Sequence, residues 1–271
     1  MAKHQNIHVP NNRYMMHEQI KSNPVILFLL NVIAIIVSYY VAILLHEWGH
    51  GTVAWMYGIK SSPFDIQYGG WLLQNADENV NYATLLNSNH GITAAMIGIA
   101  GPVVSFILAI FSFILLNRKS YQHNNVKFIF IYWFLMINMI PLVQYFTVSA
   151  FSSEGDTGRF VHGLNISALW IFIPGTVFII YALWRILTKE IIRAYIVMPI
   201  NSIFGRNILL LATLSVIFLF IYSHGYNPLT DKGINTISRI LAITSISFVP
   251  LLFIVCNPLL SWVKKATDCK I

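Results

Sequence analysis

The sequence predicts an all-α membrane protein of about six transmembrane helices, with a small β-hairpin or a membrane-surface loop after the first. Three observations carry that expectation. Hydrophobic residues make up 56% of the 271-residue chain and charged residues only 10%, whereas a soluble domain carries roughly 25% charged residues. Apolar runs of about 20 residues, each long enough to cross a ~30 Å hydrocarbon layer as a helix, recur along the whole length. Inside a bilayer every backbone amide must be satisfied within the segment, which a helix does. An ordinary cytosolic enzyme is excluded.

Residues 1–23 are polar and lack the apolar core and small-residue cleavage site of a removable signal, so the first span is expected to be retained. Six apolar segments follow, at 25–57, 92–117, 126–150, 164–187, 206–223 and 237–263. Pro24 suits the opening turn of the first, where its missing N–H is not needed. Pro141, Pro174 and Pro250 lie within later runs and predict kinks. The loop 58–91 differs in kind. Phe64, Ile66 and Tyr68 alternate with Asp65 and Gln67 and run into Gly69-Gly70 and Trp71-Leu72-Leu73. That pattern fits a hairpin, or equally an irregular loop with its aromatics at headgroup depth.

The net charge of +7 comes from Lys and Arg scattered between the spans, with no stripe or tail that would serve nucleic acid. With the first span starting on one side, that side holds thirteen basic residues: Lys3, Arg13, Lys21, Arg118, Lys119, Lys127, Arg185, Lys189, Arg193, Arg206, Lys264, Lys265 and Lys270. The other holds four, Lys60, Arg159, Lys232 and Arg239. The bias predicts a multi-pass cell-membrane protein with both termini cytoplasmic. Arg185, Lys189, Arg193 and the tail lysines read as topology determinants that attract anionic lipid. Cys256, in an apolar run, and Cys269, in the tail, give no disulfide framework.

Within the first run stands His46-Glu47-Trp48-Gly49-His50. On a helix the two histidines fall on one face, about 6 Å apart, close enough for both imidazoles to bind one zinc ion. Glu47 is then beside the ion without ligating it, placed as the general base for a water whose pKa the ion lowers. The bland reading, a polar helix end at the headgroups, is disfavoured by the absence of any charged residue from Val25 to Leu45. If the helix runs to Tyr57, His50 lies roughly 10 Å inside its end.

Two histidines need a third protein ligand and an open fourth position. The third run ends on the same side, in Asn138-Met-Ile-Pro141 and then Glu154-Gly155-Asp156-Thr157-Gly158-Arg159. Asp156 is the preferred ligand, with Glu154 and His162 as alternatives. Asp156 has structural uses too, in a Ser153-x-x-Asp156 capping box or an ion pair with Arg159. Gly98 and Gly101, with Ala94 and Ala95, read as positions where helices approach closely. His90 and His224 read as solvated loop residues.

These motifs together resemble the site-2 protease family of intramembrane zinc metalloproteases. His46-Glu47-Trp48-Gly49-His50 fits its zinc motif, and Ala100-Gly101-Pro102 with Val103, Val104 and Ser105 resembles the segment opening its next core helix. Asn138-x-x-Pro141 followed by Asp156 resembles its Asn-Pro-Asp-Gly motif, though the gap is longer and Thr157 stands where a glycine is usual. The likeness covers residues 40–160. It implies that His46, His50 and Asp156 hold Zn2+, that Glu47 activates the water, and that Asn138 positions the substrate backbone or the developing oxyanion. It also implies a catalytic core at 24–163, three accessory helices and a short tail at 164–271, and a loop 58–91 that receives an unwound substrate by edge pairing. The family opens its site to the cytoplasm, whereas the charge count places His46 and Asp156 at the opposite face. The expected activity is hydrolysis of a peptide bond in or near a transmembrane helix of a partner protein. Control is expected from a separate regulatory protein or a prior cut. The competing expectation is a catalytically inactive protease-like membrane protein that binds a partner helix or transports a solute; a third is a hydrolase acting on a lipid-linked substrate.

Overall fold

A computed structural model describes residues 23–73, 75–226 and 236–268. Residues 1–22, the bulk of the expected N-terminal segment, lie outside the described residues, as do Lys232, Lys270 and Cys269. The first helix, α1 (Pro24–Met56), begins as Pro24 and its neighbour predict. Asn23 Oδ1 accepts from the amides of Val25 and Ile26 at 2.9 and 3.3 Å, and Pro24 occupies the first helical turn. Its 33 residues span about 50 Å, well beyond a ~30 Å hydrocarbon layer. Val25, Phe28, Leu29, Ile33 and Ile36 are exposed along it, as lipid-facing side chains are.

The 58–91 loop carries the short helix α2 (Tyr82–Asn87), and α3 (Gly91–Leu116), α4 (Lys119–Gln122) and α5 (Asn125–Val143) follow. A π turn at Gln144–Val148 and a short 3-10 turn at Ser149–Phe151 extend α5. Then follow α6 (Asp156–Leu164) and α7 (Leu169–Arg185), the latter joined through a second π turn to α8 (Ile191–Val197). The last described helices are α9 (Ile203–Tyr226), α10 (Thr236–Ser245), α11 (Phe248–Val255) and α12 (Ser261–Asp268). Helices α1, α3 and α5 pack on one another, and α6 lies along α3. The axis is α5: 67% of its apolar window is buried against 17% for α1, and Phe128, Tyr132, Trp133, Leu135, Met136 and Met139 fill the core.

Among the described residues, five helical stretches are long and apolar enough to cross a membrane: Pro24–Met56, Gly91–Leu116, Asn125–Phe151, Leu169–Val197 and Thr236–Val255. The sixth expected segment, 206–223, lies within α9, a 24-residue helix. The 237–263 segment is not one rod. Pro250 offers no N–H to the carbonyl four residues back, and the chain turns at Ile246-Ser247, with Ser247 Oγ bonding the Thr244 carbonyl at 2.6 Å. Pro141 stands three residues before the first π turn.

Among the described residues the 58–91 loop contains no strand. A single antiparallel bridge joins Gln67 and Asp77, with reciprocal N···O distances of 2.9 and 3.0 Å. Leu73 and Asn75 take φ of 53° and 63°, left-handed conformations that stop the extended backbone a hairpin needs. The loop folds back on α1, the Tyr40 hydroxyl donating to the Trp71 carbonyl.

Arg185 and Arg193 are not simply basic ends of a span. Glu190, fully buried, pairs with both at 3.1 Å, and Arg193 Nη1 also donates to Asn117 Oδ1 at 2.9 Å.

Candidate metal centre

The histidine pair is set by helical spacing on α1. His46 and His50 are one turn apart and buried, and their Nε2 atoms face each other at 3.2 Å. The partner surface is α3. Ile97 presents its carbonyl to His50 Nδ1 at 2.6 Å, so Nδ1 carries the hydrogen and donates. In the neutral ring this bond selects, the Nε2 lone pair is bare and points into the site. Ser105 Oγ stands 2.9 Å from His46 Nδ1 and orients that ring in the same way. Gly101, between these two positions, faces both rings. A Cβ there would lie 2.2 Å from His50 Nε2 and 2.6 Å from His46 Nε2, so only glycine lets α3 back onto the pair.

Asp156 reaches the pair from α6. Gly155 has φ +82° and ψ 162°, a conformation essentially restricted to glycine, and it turns the chain so that Asp156 opens α6 facing α1. The long gap between Pro141 and Asp156 is taken up by the π turn and the 3-10 turn, which return the chain to α3. The capping box does not form: Gly155 occupies the cap position with no side-chain bond. Asp156 Oδ2 lies 3.0 Å from His46 Nε2 and 3.1 Å from His50 Nε2.

The three donor atoms therefore form a triangle with edges of 3.0, 3.1 and 3.2 Å. Tetrahedral zinc with bonds of 2.0–2.1 Å spaces its ligand atoms about 3.3 Å apart. Electron-pair donors this close repel one another unless a cation sits among them, so the set fits a divalent metal. The alternative ligands lie outside this triangle: Glu154 and His162 are both exposed.

Glu47 follows His46 and lines a cavity of about 440 Å3 with His46, Ser105, Ile137, Ile140, Pro141 and Gln144 among its walls. Its Oε2 is buried and has no hydrogen-bond partner among the described residues. Asn138 is not on that wall. It is fully buried, and its Nδ2 donates to the Phe134 carbonyl at 2.8 Å. At 100° per residue a shift of one position turns a side chain well away from its neighbour's direction, and Ile137 and Gln144 hold the cavity face instead.

Several contributors were not singled out for a role at the site by sequence. Tyr145 stacks on the His46 ring at 5.5 Å with 16° between planes. Glu78, buried in the loop, brings a carboxylate oxygen within 4.8 Å of both a Glu47 oxygen and a His50 nitrogen. It also pairs with Arg159 at 2.8 Å. An acid in a loop 28 residues beyond the motif, Glu78 carries no spacing signal toward it.

A search of the curated proteins gives no significant match, and neither does a search of the solved structures. A family model described as peptidase family M50 matches residues 34–251, most of the chain and all of the site described above. With five candidate spans and a buried His-His-Asp group, the chain belongs to peptidase family M50, the site-2 protease family of membrane metalloproteases.

Proposed function

We propose that this chain is a multi-pass intramembrane zinc endopeptidase that hydrolyses a peptide bond in or near a transmembrane helix of a partner protein. The observation that carries the reading is the His46–His50–Asp156 triangle with the Glu47 carboxylate, its buried Oε2 without a partner among the described residues, beside it on a cavity wall. His46, His50 and Asp156 are the residues that would hold Zn2+, and residues 24–163 the core that carries them. A zinc ion bound there supplies Lewis acidity and lowers the pKa of a water toward 7. Glu47 accepts the proton of the attacking water and later delivers it to the leaving amine. The apolar wall of Ala42, Ile43, Ile137 and Ile140 receives an unwound substrate segment, and the Gln144 amide offers its backbone a polar partner. Residues 164–271 buttress the core, both termini face the cytoplasm, and a separate protein or prior cut controls entry.

The test uses Glu47→Gln. With a membrane-spanning substrate that the wild-type chain cleaves, the variant should leave it intact while retaining its zinc. Unchanged cleavage by zinc-loaded Glu47→Gln would overturn the mechanism.

A further inference from the structure

The third ligand has a competitor beside it. Arg159, one helical turn beyond Asp156 on α6, places the same Nη1 atom 2.8 Å from Glu78 Oε1 and 3.8 Å from Asp156 Oδ1. The shorter distance is a full charge-assisted hydrogen bond, and the longer one is only a Coulombic contact. The guanidinium is seated on the Tyr82 ring, 3.9 Å from its centroid. Glu78 and Tyr82 both come from the 58–91 region and both are buried. Two groups of the loop thus capture a cation that could otherwise close on the carboxylate facing the histidines.

We propose that Glu78 and Tyr82 are positioning residues that hold Arg159 off Asp156, and so keep the Asp156 carboxylate available to the metal. The inference rests on the ligand set of the proposed function. An arginine bonded bidentately to a carboxylate occupies both oxygens and neutralises them, which is the geometry a metal ligand must avoid. Here the guanidinium is committed to Glu78, so Asp156 Oδ2 turns to His46 and His50 while Oδ1 faces the arginine at a distance. The loop is thereby part of the metal centre: moving it releases Arg159 toward the ligand.

Competition has a signature that general support of the fold does not. Removing Glu78 frees the arginine to take the ligand, whereas removing the arginine removes the competitor. Zinc affinity of the full chain in detergent, read by competition with a chromophoric chelator, should therefore fall about 10- to 100-fold in Glu78→Gln, the usual range for an outer-shell change. Arg159→Gln alone should stay within about threefold of wild type, and Glu78→Gln combined with Arg159→Gln should recover to that level. Unchanged affinity in Glu78→Gln, or no recovery in the double variant, overturns the proposal. So does a tenfold or larger loss in Arg159→Gln alone, which keeps the idea refutable even if Glu78→Gln fails to fold. His46→Ala in the same assay separates the two claims. Retention of tight zinc binding there refutes the ligand set itself. Loss there with an unaffected Glu78→Gln refutes only the role of the loop.

Discussion

Gly101→Ala tests the site at the point where it is least forgiving. The added Cβ would lie 2.2 Å from His50 Nε2, 2.6 Å from His46 Nε2 and 2.7 Å from His50 Cδ2, all far inside ordinary van der Waals contact. Relief requires the His50 ring to move by roughly 1 Å, five times the tolerance of about 0.2 Å on a metal–ligand bond. The helix backbone cannot supply that shift, because α3 is held against α1 by the Ile97 carbonyl bond to His50 and the Ser105 bond to His46. With one or both imidazoles displaced, zinc affinity should fall at least about 100-fold, roughly 2.8 kcal/mol at 1.4 kcal/mol per tenfold. Chelator competition on the purified chain measures this directly. Gly49→Ala is the control: it crowds the same pair of helices, against Val104 Cγ2 at 2.8 Å, without placing a carbon among the ligand nitrogens. Zinc affinity of Gly101→Ala within about threefold of wild type, a change of under 1 kcal/mol, would refute the claim that α3 backs directly onto the metal-facing nitrogens. Equal losses in both variants would assign the effect to helix crowding.

Two further outcomes follow from neighbouring contacts. Ser105→Ala removes the group that orients His46 and should weaken zinc binding by about 10- to 100-fold without unfolding the chain, as chelator competition and thermal melting together would show. Glu190→Ala leaves Arg185 and Arg193 uncompensated near a fully buried position and should destabilise the fold by about 3–5 kcal/mol, visible as a lowered melting temperature, while the zinc affinity of the surviving folded protein stays unchanged.

The spans were legible because hydropathy over twenty residues averages out local detail, and His46, Glu47 and His50 were legible because a ligand pair on a helix has a fixed spacing of four. Asp156 could be reached by asking which acid returns to the same end of the bundle. What escaped has no sequence signature. The Ile97 carbonyl that fixes the His50 tautomer is a backbone atom, and any residue could carry it. Glu78 and Arg159 meet across 81 positions, through a loop whose course depends on Leu73 and Asn75 taking left-handed conformations. Asn138 is fully buried, its Nδ2 donating to the Phe134 carbonyl, while Ile137 and Gln144 line the cavity, an arrangement set by helix rotation that no motif spacing reports. Arg193 reads as a topology determinant, and only the placement of Glu190 at the end of the π turn shows it buried and paired. Pro250 marked a disturbance in the last segment correctly, but the break at Ile246-Ser247 was hidden in a run that still averages as apolar.

The account stands or falls on whether Asp156 completes the metal site with the two histidines. Zinc content of the purified wild-type chain beside Asp156→Ala, after removal of loosely bound metal, tests that most directly. The account predicts stoichiometric zinc in the wild type and loss of tightly held zinc in the variant. Full zinc retention in a folded Asp156→Ala chain would contradict it.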